Sequence, residues 1–271
     1  MIYPRSSLKP LQLEAMVSGG LELDARQLAV AAASHDGRPE HVAIVEEILH
    51  GAGLGPDDLE NTPAMPIDED ARHDRIRAGE GPASIVQNCS GKHAAMLATC
   101  VVNGWPTVGY VAPDHPVQQL IDDHIGAVAG GVHHVGVDGC GAPTAAISLV
   151  GLARAVRRIA VADDPIYRAM VAHPAIVGGP TREVTQLMQA APGLLVKDGA
   201  DGVYVAAMPD GRAVATKIAD GGDRARWPVM VAALASLGID AGEPTTPVLG
   251  HGRPVGEVRA LVPATSEGDD R

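Results

Sequence analysis

Leu194-Leu195-Val196-Lys197, Gly202-Val203-Tyr204-Val205-Ala206-Ala207 and Ala213-Val214-Ala215-Thr216-Lys217-Ile218 are three short apolar runs, separated by Asp198-Gly199-Ala200-Asp201 and Pro209-Asp210-Gly211. Runs of this length, divided by turn formers, read as strands joined by hairpins. Tight turns join antiparallel neighbours, so this region predicts an antiparallel sheet. The chain ahead of it has a helical period instead. Residues 8–18 carry apolar side chains at Leu11, Leu13, Ala15 and Met16 and stop at Gly19-Gly20. Further helices are expected over 24–34, 39–50, 92–102, 116–128 and 144–159, with another at 227–237 beyond the strands. Residues 56–81 are rich in charge and proline and read as a surface excursion with one short helix. A helical region followed by antiparallel strands is the α+β class. A single domain over 1–265 is expected, with a polar tail at 266–271 unable to pack.

Composition narrows the function. A chain of 271 residues can bury a sizeable core. With no Phe, two Trp and four Tyr, that core must be aliphatic, and the composition argues against base stacking on aromatic platforms. A formal charge of −12 argues against nucleic acid or an anionic membrane as partner. Three cysteines, an odd number, argue against a closed disulfide framework. The start, Met1-Ile2-Tyr3-Pro4-Arg5, lacks a signal-peptide pattern, and no stretch is long enough to span a bilayer. A cytoplasmic protein is expected.

Two Gly-rich turns hold residues suited to chemistry: Cys89-Ser90-Gly91-Lys92-His93 and Asp138-Gly139-Cys140-Gly141. Two thiols could bind a soft metal, and a lysine three residues from a cysteine could be held deprotonated beside it. Each turn is expected to feed a helix, whose N-terminus favours anions and thiolates. Ser6-Ser7-Leu8-Lys9 adds a Ser-x-x-Lys pair, the arrangement by which serine amidohydrolases activate a hydroxyl. Three residues apart on a helix, Ser6 and Lys9 share a face. Taken singly, each motif has a plainer reading. Ser-x-x-Lys is commonly a solvated helix face, and Cys89 and Cys140 could be buried thiols, as Cys100 is expected to be. His35, His93 and His115 would singly be structural histidines.

The motifs also occur as an ordered series. Ser6-x-x-Lys9-Pro10, Ala33-Ser34-His35, Asn88-Cys89-Ser90-Gly91-Lys92-His93, Asp114-His115-Pro116-Val117-Gln118, Asp138-Gly139-Cys140 and Lys197-Asp198-Gly199-Ala200 follow one another along nearly the whole chain. The series resembles the asparaginase II family, of the thermolabile rhizobial type. That resemblance implies a serine β-lactamase-like fold, a homodimer, and hydrolysis of L-asparagine to L-aspartate and ammonia. It implies two Ser–Lys pairs, Ser6 with Lys9 and Ser34 with Lys197. It also implies zinc held by Cys89, Lys92 and Cys140, with Asp138, Asn88 and His93 around the metal or the substrate. A related amidohydrolase acting on glutamine or another amide, or an inactive zinc-binding relative, are the alternatives. The chain departs from the family pattern at three places. Strands that precede Ser-x-x-Lys in the family are not expected, since the motif begins at residue 6. Val184 stands where the family commonly has Asp, and the turn Asp36-Gly37-Arg38 is more highly charged.

Overall fold

The computed structural model describes residues 1–242 and 246–261. The expected tail at 266–271 lies outside them. A 3-10 turn over Arg5–Leu8 runs into α1 (Lys9–Ser18). α2 (Ala25–Ala31) opens on a capping box: Asp24 accepts from the Gln27 amide, and the Gln27 side chain accepts from the Asp24 amide. α3 (Pro39–Gly51), α4 (Glu69–Arg77), α5 (Ser90–Asn103) and α6 (Pro116–Ala129) complete the first half. The short helix expected within 56–81 is α4. Gly104 and Gly130 end α5 and α6 in the left-handed conformation, which glycine adopts without steric penalty.

β1 (His134–Val137) and β2 (Pro143–Ala146) form a hairpin. α7 (Leu149–Val161), α8 (Pro165–Ala172), α9 (Pro174–Gly178) and α10 (Glu183–Ala190) follow. The central sheet is β3 (Leu195–Gly199), β4 (Val203–Ala207) and β5 (Ala213–Lys217), in that order and antiparallel. Its register pairs Lys197 with Val205 and Val205 with Ala215. After α11 (Arg226–Ser236) comes a second hairpin, β6 (Pro247–Gly250) and β7 (Arg253–Glu257). The chain is thus a mixed helix-and-sheet protein with small antiparallel sheets. No helix among the described residues is long and apolar enough to cross a membrane.

The helix expected over 144–159 is corrected. Residues Pro143–Ala146 form β2, paired with β1, and α7 begins only at Leu149, with Ser148 accepting the Gly151 amide as its cap. Thr144-Ala145-Ala146-Ile147 is a continuous buried run, apolar but for Thr144, a pattern in which strand and helix cannot be told apart by periodicity. The Cys140 turn therefore leads into a strand, and only Cys89 stands at a helix N-terminus.

Aliphatic side chains fill the core: Leu8, Leu11, Leu13 and Met16 from the N-terminal segment meet Leu97, Leu152, Val156 and Leu195 in one cluster. Sheet and helices are joined closely. α8 and α10 pack on β3, and α7 and α11 on β4 and β5. Two glycines permit backbone contacts that set the site. A Cβ on Gly199 of β3 would stand 2.2 Å from Pro4 O, and one on Gly91 of α5 would stand 2.3 Å from Val30 O. The N-terminal turn thus lies directly against β3, and α5 directly against the end of α2.

Candidate active site

Ser34 follows α2 by three residues, in a segment pinned from several sides. Its amide donates to Val177 O at 3.2 Å, and its carbonyl accepts from Arg182 Nη1 at 2.6 Å. The neighbouring His35 accepts the Gly37 amide at Nδ1, so Nε2 carries the proton and donates to Ser90 Oγ at 2.9 Å. Burial first, then His41, Lys9 and Arg182, push His35 well below an ordinary histidine, which keeps it neutral.

Two lysines converge on the Ser34 hydroxyl. Lys197 Nζ, from β3, lies 2.8 Å from Ser34 Oγ, and Lys9 Nζ, from the start of α1, lies 3.3 Å from it. All three residues are buried, with Ser34 only 3% exposed. Lys9 also donates to Ala33 O at 2.5 Å and Asn88 O at 3.3 Å. Lys197 reaches Asp198 O at 2.8 Å and Asp198 Oδ1 at 2.6 Å. Burial lowers Lys197 to about 8, with Lys9 and Arg182 adding to the fall against the attraction of Asp198. Asp198 itself is held far below the ordinary carboxylate range: burial works against its charge, but Lys197, Arg182 and Arg226 outweigh it.

The expected Ser34–Lys197 pair is therefore in contact. Ser6 is half-buried in the 3-10 turn; its carbonyl accepts from the Lys9 amide, but among the described residues its hydroxyl makes no hydrogen bond to Lys9 Nζ, which turns to Ser34 instead. The residue before it, Arg5, has φ 54°, a left-handed conformation that costs a non-glycine residue about 1–3 kcal/mol. Arg5 is held there by ion pairs to Asp138 at 2.6 Å and Asp201 at 2.5 Å.

The cysteine turns also meet. Cys89, Lys92 and Cys140 are all buried, and Lys92 Nζ lies 3.3 Å from Cys140 Sγ. Cys140 holds the Cys89 thiol well below its ordinary value, against burial and with Lys9 and Lys92 adding, while Cys89 and burial push Cys140 up. Burial opposes the Lys92 charge, but Cys140, Cys89 and Asp138 raise its pKa overall. Asp138 is lowered by Lys92 and then Arg5, against burial. Asn88 connects the two clusters: its carbonyl accepts from Lys9 and its Oδ1 from the Cys89 thiol at 3.6 Å. His93 bonds Tyr110 through Nδ1 at 2.8 Å, and its buried Nε2 has no partner.

Among the described residues no three His, Cys, Asp or Glu side chains cluster as a metal site, so a metal here needs the Lys92 amine as a donor. The donor chemistry fits one. Lys92 is a buried lysine whose Nζ hydrogen-bonds only sulfur among the described residues, and both Cys89 and Cys140 are buried, unpaired thiols.

Sequence reading missed Arg182 and Asp198, the pair that anchors both Ser34 and Lys197. Arg182 Nη2 lies 2.5 Å from Asp198 Oδ2. Arg182 also lines a cleft of about 320 Å³ with Asp36, Arg38, Asp68, Asp70 and Thr181. A larger cleft of about 470 Å³, beside α3 and α4, contains none of the expected site residues.

A serine hydroxyl flanked by two buried lysines, in an α+β fold, is a site suited to acyl transfer: one amine can take the proton while the other faces the oxygen. The L-asparaginase II family pattern matches residues 1–260, and the chain belongs to that family. Comparison with curated proteins finds no match.

Proposed function

We propose that the chain is an amidohydrolase that converts L-asparagine and water to L-aspartate and ammonia, with Ser34 as the activated hydroxyl and Lys197 as its base. Family membership supports the reaction, and the proton count at Ser34 supports the roles. A charged lysine has three N–H donors and no acceptor. Lys9 and Lys197 each have three oxygens around Nζ, Ser34 Oγ among them, so the Ser34 O–H finds an acceptor when one of the two amines is neutral. Neutral Lys197 keeps its N–H groups for Asp198 O and Oδ1 and turns its lone pair to the Ser34 O–H. Its lowered pKa makes that form accessible near neutral pH.

In this reading Ser34 Oγ bonds to the amide carbon as its proton passes to Lys197. The C–N bond then breaks, the leaving nitrogen takes that proton, and ammonia departs. Water hydrolyses the resulting ester by the same exchange in reverse. Lys9 stays as a donor to the seryl oxygen, where negative charge develops. A second reading makes Ser6 the nucleophile. Its greater exposure favours that reading, because substrate must reach the attacking oxygen.

Cys89, Lys92 and Cys140 would hold zinc as two thiolates and a neutral amine, with Asp138, Asn88 and His93 around them. When bound, the metal supplies a Lewis acid that orients or polarises the substrate. The serine β-lactamase-like fold and the homodimer belong to the same proposal. A cytoplasmic setting accords with three free, buried cysteines. The deciding experiment is ammonia release from asparagine, glutamine and simple amides, with zinc measured on the same sample. Turnover of asparagine lost in Ser34→Ala and kept in Ser6→Ala supports the first reading; the reverse supports the second. No ammonia from any amide overturns both.

A further inference from the structure

One carboxylate stands among three cations beneath Ser34. Asp198 Oδ1 lies 2.6 Å from Lys197 Nζ, while Oδ2 lies 2.5 Å from Arg182 and 3.9 Å from Arg226. Arg182 spends its other terminal nitrogen on the Ser34 carbonyl at 2.6 Å. Thus a single guanidinium ties the backbone of the serine to the counter-ion of its lysine. We infer that Arg182 and Asp198 are positioning residues: they divide one buried carboxylate between two cations and so set how readily Lys197 gives up its proton. The inference rests on Lys197 acting as base only for its effect on rate.

The charges facing Lys197 come from every element around it. Asp198 is on its own strand, Lys9 on α1, and Arg182 on the segment before α10. Arg226 comes from α11, balanced by Glu183 at 3.5 Å and Asp223 at 3.2 Å and stacked 4.9 Å over the Tyr204 ring. His35 is neutral. Within this set Arg182 and Asp198 act on Lys197 with opposite signs. Removing the carboxylate leaves three cations facing one another and favours the neutral amine. Removing Arg182 withdraws a repulsive charge and leaves more of Asp198 to Lys197, which favours the ammonium. Damage to packing has no reason to split in this way, so the two members of one ion pair provide a test of sign.

Only four lysines occur in the chain, Lys9, Lys92, Lys197 and Lys217, so lysine labelled with carbon-13 at Cε gives four signals. Lys197→Arg assigns the relevant one. Titrated by NMR, Lys197 is expected to move down by about one pH unit or more in Asp198→Asn and up in Arg182→Gln, a single nearby charge being worth one to three units. Arg182→Lys, which keeps the cation, returns the titration toward wild type. The rising limb of kcat/KM for L-asparagine against pH is expected to shift the same way. Should the signal split by sign while the limb stays fixed, the pair still sets Lys197 and the assignment of Lys197 as base fails instead. If both variants leave the signal in place or move it together, the inference is overturned. Arg182 is the more exposed partner, so Arg182→Gln carries the test alone should Asp198→Asn not fold: a Lys197 signal that does not rise refutes it.

Discussion

Gly91→Ala tests whether the site depends on backbone contact between α5 and α2. The added Cβ would stand 2.3 Å from Val30 O, 2.8 Å from Val30 C and 3.3 Å from Ala31 N. The first two are closer than the 3.0 Å that real Cβ contacts respect. All three are backbone atoms, so no side chain can swing aside and the helices must part by about 0.7 Å, the shortfall from that limit. Overpacking of this kind costs about 1–3 kcal/mol. Alanine returns about 1 kcal/mol through its helix preference, leaving up to about 2 kcal/mol net. At about 2–4 °C per kcal/mol for a chain of this size, Tm should fall by up to roughly 8 °C. Activity should fall further than stability, because α5 carries Ser90, which holds His35, and Lys92, while α2 leads into Ser34. Displacement approaching 1 Å at a catalytic group can cost on the order of 100-fold, so a loss of about tenfold or more in kcat/KM is expected. Gly51→Ala is the control: it ends α3 with nothing within 4 Å of the new Cβ. Thermal unfolding by circular dichroism and ammonia release would be measured on both. Equal Tm and equal turnover in the two variants would refute the close α2–α5 contact and its role in placing Ser34.

Lys197→Ala and Ser34→Ala should each lower kcat by about two orders of magnitude or more, since proton transfer and covalent catalysis are lost together; stopped-time ammonia assays read this, and near wild-type turnover in either ends the assignment. Stability should also depend on pH in a signed way. Lys197 titrates at about 8 when folded against 10.5 when unfolded, so the unfolded chain holds the extra proton between those values and this group makes stability rise with pH across that window. Asp198, lowered in the fold, works at the other end: its contribution is present above its ordinary value of 3.8 and is lost on acidification below it. Urea midpoints across pH for wild type and Lys197→Met check the alkaline part, which the variant should flatten. Protein purified without chelators should carry about one zinc per chain, falling as pH drops because both thiols and the amine must lose protons to bind. Elemental analysis showing the same zinc content in Cys89→Ala and Cys140→Ala would remove the metal from that site.

The elements legible in the sequence are those whose local pattern and tertiary demand agree. β3 to β5 stand where apolar runs alternate with Asp-Gly and Pro-Asp-Gly turns, and α6 where Pro116 and Gly130 bracket an amphipathic stretch. β2 was illegible because a fully buried run has no polar face to reveal its period. The site divides along the same line. Ser34 and Lys197 were found through motifs, yet their contact spans 163 residues and only the fold creates it. Arg182 stood in no motif, and Asp198 stood in one that marked only its neighbour Lys197. Neighbours on a strand point to opposite faces, so nothing in Lys197-Asp198 announces that the two side chains bond each other. The signal that would have found them is energetic rather than sequential. Of four lysines in the chain, three are buried in the interior, where a lone ammonium is strongly disfavoured. Each must therefore be surrounded by carbonyls, sulfur or a carboxylate. Lys9 uses carbonyls and a serine, Lys92 uses sulfur, and Lys197 alone takes a carboxylate, which two arginines share. That unequal provision gives the three buried lysines different surroundings within one aliphatic core, and Lys197, which burial lowers to about 8, is the one closest to the Ser34 hydroxyl.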